Sequence, residues 1–82
     1  MKSKIVTYDL IGDNQDYESL IAKIQLYRYW TKLTESCWVI KTTISCSDVQ
    51  KDLASVMGDD DRLFVAELTG VAAWQNVICH NL

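Results

Sequence analysis

The sequence predicts an α+β fold of order β-α-β-β-α-β, a four-stranded antiparallel sheet with two helices on one face. Three observations carry that reading. Runs rich in β-branched and aromatic residues recur near the start, in the middle and after residue 60. Two stretches between them switch to helical periodicity. Capping and turn residues punctuate each change, and no proline interrupts any of them. The order is that of the ferredoxin-like arrangement. Right-handed crossovers place both helices on one side, with the first and third strands at the centre of the sheet.

The first strand is Lys4-Ile-Val-Thr-Tyr-Asp-Leu10, in which Ile5, Thr7 and Asp9 face one way and Val6, Tyr8 and Leu10 the other. The loop from Ile11 to Asp16 is rich in turn and capping residues. The spacing of Tyr17, Leu20, Ile21, Ile24 and Tyr27 predicts a helix over 16–29 with one buried stripe. A short strand near Thr31–Thr34 and a turn at Glu35-Ser36 lead to a third strand, Cys37–Thr42. The segment Ser45-Cys-Ser47 supplies N-caps, and Ser47 with Gln50 fits a capping box for a second helix over 48–57 that buries Val49, Leu53, Val56 and Met57. Gly58 is placed to end that helix in a left-handed conformation. Asp59-Asp60-Asp61 reads as a solvated turn into the last strand, Arg62–Leu68, its ligands too few and wrongly spaced for a calcium loop.

The 82 residues suffice for one domain, 1–82, and a chain this short buries a modest share of its surface. No apolar run reaches the length of a membrane span. The N-terminal residues enter a strand without a signal-like apolar region, which points to the cytoplasm. Cys37, Cys46 and Cys79 form no Cys-x-x-Cys pair and read as reduced structural thiols. Nothing in the spacing of Cys46, Cys79 and His80 suggests a zinc site. Eleven acidic against eight basic side chains leave a net charge of −3. That counts against a strong, salt-sensitive DNA binder, which needs clustered Lys and Arg.

The strand patterns carry a second inference. The third strand is apolar on both faces, with Trp38 and Ile40 on one and Cys37 and Val39 on the other. The fourth sets Phe64, Ala66 and Leu68 against Leu63 and Val65. Two helices cover one face, so the other needs a cover as well. Homodimerisation is the expectation, with Trp74 and the tail 69–82 contributing. The rival is a monomer whose own C-terminus folds across the sheet.

A strand ending Tyr8-Asp9, a strand pair containing Glu35-Ser36-Cys37-Trp38, and the run Phe64-Val-Ala-Glu-Leu-Thr-Gly70 followed by Ala72-Ala-Trp74 together resemble the small ferredoxin-like SinR-family proteins. Strand order, Asp9 and Ser36 extend a looser likeness to the VapD ribonucleases and the smaller CRISPR-associated adaptation protein. The resemblance implies a symmetric dimer. It also implies that Asp9, one from each subunit near the dimer axis, is the metal ligand of a Mg²⁺-dependent nuclease. Two carboxylates can hold Mg²⁺, which polarises a phosphate and activates water.

The residues themselves leave alternatives open. Asp9 serves equally well by bonding loop amides and favouring the positive end of the following helix. Ser36 either binds phosphate or satisfies its hairpin turn. Arg28, Tyr29, Trp30 and Lys32 are the one cluster joining cations to aromatics, suited to RNA or DNA or to a dimer or protein contact. Glu67 is a second acid that more simply pairs with a lysine. The two arginines, Arg28 and Arg62, and the absence of a histidine near Asp9 weigh against a nuclease. Two functions follow, a metal-dependent endoribonuclease or a catalytically inert dimeric interaction module encoded by a mobile element.

Overall fold

β1 (Lys2–Asp9) lies inside the sheet, bonded antiparallel to β3 (Cys37–Thr42) on one side and to β4 (Arg62–Glu67) on the other. β2 (Tyr29–Thr34) pairs antiparallel with the outer side of β3, so the strand order is β2-β3-β1-β4. With α1 (Tyr17–Gln25) and α2 (Cys46–Ala54) the chain runs β-α-β-β-α-β, and the ferredoxin-like expectation holds. The computed structural model describes residues 2–11, 17–70, 73, 75 and 78. The expected start of the first helix at Asp16, the contribution of Trp74, and Cys79 and His80 lie outside the described residues.

The alternation within each strand decides which side chains meet. Register puts Val65, Val6, Trp38 and Lys32 in one row on the helix side, and Glu67, Lys4, Ile40 and Trp30 in the next. Against these rows Leu20 and Ile24 of α1 and Val49 and Leu53 of α2 are fully buried. Trp38 is buried too, and its ring N–H donates to the Tyr8 hydroxyl at 3.1 Å. That hydroxyl donates in turn to the Glu35 carbonyl at 3.4 Å. Burial raises the Tyr8 pKa, and the Trp38 bond opposes the rise. Lys4 is only 4% exposed; its ammonium donates to the Thr42 carbonyl at 3.0 Å, with Glu67 at 4.0 Å.

Both helices are shorter than their apolar periodicity suggests. α1 stops at Gln25, and single-turn bonds from Leu26 to Lys23 and from Tyr27 to Ile24 tighten the chain there. Tyr27 still reaches the core, but from the turn, whereas Tyr17 is exposed rather than part of a buried stripe. β2 therefore begins at Tyr29, two residues before the expected Thr31, and Trp30 pairs with Ile40. Strand pairing outweighs helix periodicity here because two aromatic residues gain a pleated surface.

α2 begins earlier than expected. Ser45, not Ser47, is the N-cap, its Oγ accepting the Asp48 amide at 3.1 Å. Val56 and Met57 pack on the core from the turns after the helix, which ends at a right-handed Ser55. Gly58 does not adopt the left-handed conformation expected of it. Its amide instead donates to Asp61 Oδ2 at 2.7 Å, while Asp61 Oδ1 accepts the Ile11 amide at 2.7 Å. Asp61 is thus a clasp between the exit of β1 and the approach to β4, where a wholly solvated turn was expected.

A polar link joins the end of the first helical segment to α2. Asp52 of α2 accepts from Lys23 at 2.9 Å and from the Tyr27 hydroxyl at 3.0 Å. The Lys23 bond, with help from Tyr27, holds the Asp52 carboxyl below its usual pKa. Burial, together with the Asp52 carboxylate, raises the Tyr27 pKa. Among the described residues no helix is long and apolar enough to cross a membrane.

Two stability predictions follow from these links. Asp61→Ala removes the acceptor of two backbone amides and lowers stability by about 1 kcal/mol; an unchanged urea midpoint would show that water replaces the clasp. Asp52 has a depressed folded-state pKa, so its contribution is present above the unfolded carboxyl value of about 3.9 and fades as pH falls through the folded value. Asp52→Asn should therefore flatten the acid side of a stability profile between about pH 4 and 2. A profile parallel to wild type would contradict the assignment.

Candidate functional site

The chemistry-bearing residues named from the sequence separate into two ends and two faces of the sheet. Asp9 is the last residue of β1, exposed, on the face that carries Ile5 and Thr7. Its register partner across the β1–β4 ladder is Arg62. Around them Thr7, Tyr8, Asp9, Arg62, Leu63 and Phe64 line an open hollow of about 200 Å³. Ser36 lies at the same end, because the β2–β3 hairpin turns there and the Tyr8 amide donates to the Ser36 carbonyl at 3.1 Å. The hairpin uses the Ser36 backbone to extend the sheet past Thr7↔Cys37, which accounts for the residue structurally.

The cluster of cations and aromatics is divided by the pleat. Tyr29 and Thr31 face the open side, and Trp30 and Lys32 face the helix side. The Arg28 guanidinium sits 5.2 Å from the Tyr29 ring centre. Trp30 packs at 5.6 Å and a 57° tilt on Trp38, whose ring also lies 5.7 Å from the Lys32 ammonium. Lys32 is further drawn to Glu35 at 3.6 Å. Tyr29 pairs with Lys41, at the opposite end of the sheet from Asp9. Tyr29 therefore shares the open face with Asp9 but lies at its far end, with Arg28 beside it, and Lys32 has intramolecular partners of its own.

Arg62 is the residue of this site that sequence reasoning missed. It was counted only as one of two arginines, whereas the antiparallel register places it beside Asp9. The signal was available in outline, since an acid ending the first strand and a base starting the last meet when those strands pair. Glu67 goes elsewhere: it lies on the helix face, 3.5 Å from Lys2 and 4.0 Å from Lys4. Five strand positions, about 17 Å at 3.4 Å each, separate it from Asp9.

A Mg²⁺ ion needs an octahedral set of oxygens with at least one or two carboxylates. Among the described residues no three His, Cys, Asp or Glu side chains converge to hold a metal. Asp9 offers one carboxylate, and its register partner across the ladder, Arg62, is a cation and not a second ligand. The donor set of a single chain therefore does not fit the ion, and the second carboxylate would have to come from another copy. Cys37, on the same face as Asp9, is a free thiol whose pKa burial pushes up, which makes it a poor nucleophile.

Compared with known proteins, the chain matches no family model and no curated protein.

The open face is sheltered unevenly. Its middle row runs Ala66, Ile5, Val39, Thr31. Val39 and Thr31, on the β2 half, are buried although both helices lie on the other side. Next to them the Ile78 amide donates to the Leu33 carbonyl at 2.8 Å, so a residue of the tail is anchored at β2. On the β4 half Phe64 is 61% exposed.

Burial of Cys37 gives this face a chemical readout. In the native protein iodoacetamide should alkylate Cys37 several-fold more slowly than in urea, as followed by peptide mass. Equal rates in the two conditions would show that the thiol is not held in the sheet.

Proposed function

We propose that this chain is a binding module that associates with a second copy through the β4 half of its open sheet face, and that it is not a hydrolase. The observation that carries this reading is Phe64, a large aromatic side chain left 61% exposed on a sheet face without helices. Ile5 and Ala66, both partly exposed, extend the apolar patch along β1 and β4. A symmetric pairing of this patch buries apolar surface at roughly 25 cal/mol per Å². The tail residue Ile78 at β2 supports an arrangement in which the chain shelters one half of the face and a partner the other. Asp9 in this reading is a surface acid beside Arg62.

A second reading remains attached to the likeness to SinR-family, VapD and CRISPR adaptation proteins. It is favoured by the exposed position of Asp9 at the end of a central strand, over an open hollow with Arg62 at its side. There a phosphodiester would meet one cation, and two copies would have to bring their Asp9 carboxylates together around Mg²⁺. Cleavage of RNA is the activity this reading implies.

One pair of variants separates the two. Phe64→Ser should reduce the molar mass seen by light scattering from two chains to one, with the circular dichroism of the fold retained. Asp9→Asn should leave the mass unchanged. Wild type should cleave neither RNA nor DNA in Mg²⁺ or Mn²⁺. Metal-dependent cleavage lost in a dimeric Asp9→Asn protein would replace the module by the nuclease, and a monomeric wild type would remove self-association.

A further inference from the structure

On the helix side, away from the open sheet face, the turn after α1 meets the start of α2. Leu26, Tyr27, Ile44, Asp48 and Asp52 line a hollow of about 420 Å³ there. Leu26 is 81% exposed and Ile44, in the β3–α2 connection, 43%. Neither contributes to the core, which Tyr27 closes from beneath with its hydroxyl turned to Asp52. Two aliphatic side chains are thus held out to solvent on either side of an aromatic floor.

The rim is acidic. Asp48 and Asp52 are one helical turn apart on α2, so their carboxylates lie along the same side of the hollow. Asp52 is engaged by Lys23 and Tyr27. Asp48 has its amide bonded to Ser45, while its carboxylate takes part in no ion pair among the described residues. Of the two, Asp48 is thus the carboxylate left without an ion pair among the described residues, and the whole chain carries −3. The volume falls in the roughly 300–1,000 Å³ of ligand pockets, but a small molecule needs about 70–90% of its surface enclosed, and this hollow opens widely to solvent. It suits the anchor residue of a larger body.

We infer that the Leu26–Ile44 hollow docks a basic, amphipathic segment of a partner protein, with a bulky apolar side chain between Leu26 and Ile44 and a lysine or arginine on Asp48. The choice of occupant rests on charge complementarity: an apolar floor alone accepts any hydrophobe, while the unpaired carboxylate selects a cation beside it. This surface is separate from the Phe64 patch, so docking here and self-association through the sheet stand or fall independently.

The test uses a fluorescein-labelled, 16-residue helical peptide of leucine, alanine and lysine, and its counterpart with glutamate for lysine. Anisotropy is read at two salt concentrations. The lysine peptide should bind wild type and the glutamate peptide should not. The double variant Leu26→Ser/Ile44→Ser should bind at least tenfold more weakly. Asp48→Asn should weaken binding several-fold and reduce its salt dependence, and Phe64→Ser should bind as wild type does. Circular dichroism confirms that each variant is folded, which the exposure of all four positions favours. No binding of the lysine peptide, or equal binding by the hollow variants, overturns the proposal. Weakening by Phe64→Ser alone assigns the peptide to the sheet face and overturns it as well. A change of molar mass in the Leu26→Ser/Ile44→Ser protein shows that a second copy is the occupant.

Discussion

A four-stranded sheet has two faces, and this chain has helices for one of them. That constraint organises the molecule. On the helix side the rows through Val6 and Lys4 meet Leu20, Ile24, Val49 and Leu53, and the core closes there. On the other side the same strands carry Ile5, Val39, Ala66 and Phe64, away from α1 and α2. Alternation leaves little freedom in this: a strand that buries Trp38 on one side presents Val39 on the other, and both are apolar. An uncovered sheet face of this kind is resolved by more chain or by a second molecule. Ile78, bonded at β2, belongs to the first solution, and the exposure of Phe64 at β4 leaves room for the second.

The electrostatics of Asp9 follow from strand pairing rather than from a site assembled for catalysis. An antiparallel ladder that starts β4 with Arg62 makes that residue the register partner of the aspartate ending β1. Cross-strand pairs of opposite charge stabilise a sheet edge modestly. Three lysines of the sheet have acidic partners, Lys2 and Lys4 with Glu67 and Lys32 with Glu35. A chain with eight basic against eleven acidic side chains offers few clustered cations to track a phosphate backbone.

Strand identity, strand order and the facing of each side chain were legible because period-two alternation and β-branched content are local properties that tertiary packing reinforced. Helix ends were less so. The apolar period ran on through Tyr27, yet α1 stopped at Gln25 because Tyr29 and Trp30 had a better place in β2. Ser45 and Ser47 both offered a cap, and the earlier one prevailed, its Oγ accepting the Asp48 amide. Asp61 shows a different limit. Its role depends on Ile11, fifty residues away in the chain, and no local pattern marks such a clasp. At the candidate site Asp9 and Ser36 were placed at one end as their strands suggested. The basic and aromatic run from Arg28 to Lys32 was divided because a helix reading hid the pleat that separates its members.

The pairing of the first strand with the last also fixes when the sheet can form. Lys4 lies against Glu67 and Asp9 against Arg62, so half of the bonds of β1 wait for the far end of the chain. Closing so long a loop has an entropic cost that non-local contacts repay only afterwards. On a ribosome adding about 5–20 residues per second, β1 leaves the exit tunnel several seconds before β4. Until β4 arrives β1 can pair only with β3, and Val6 and Tyr8, later among the most buried side chains, lack the cover of Val65 and Leu63.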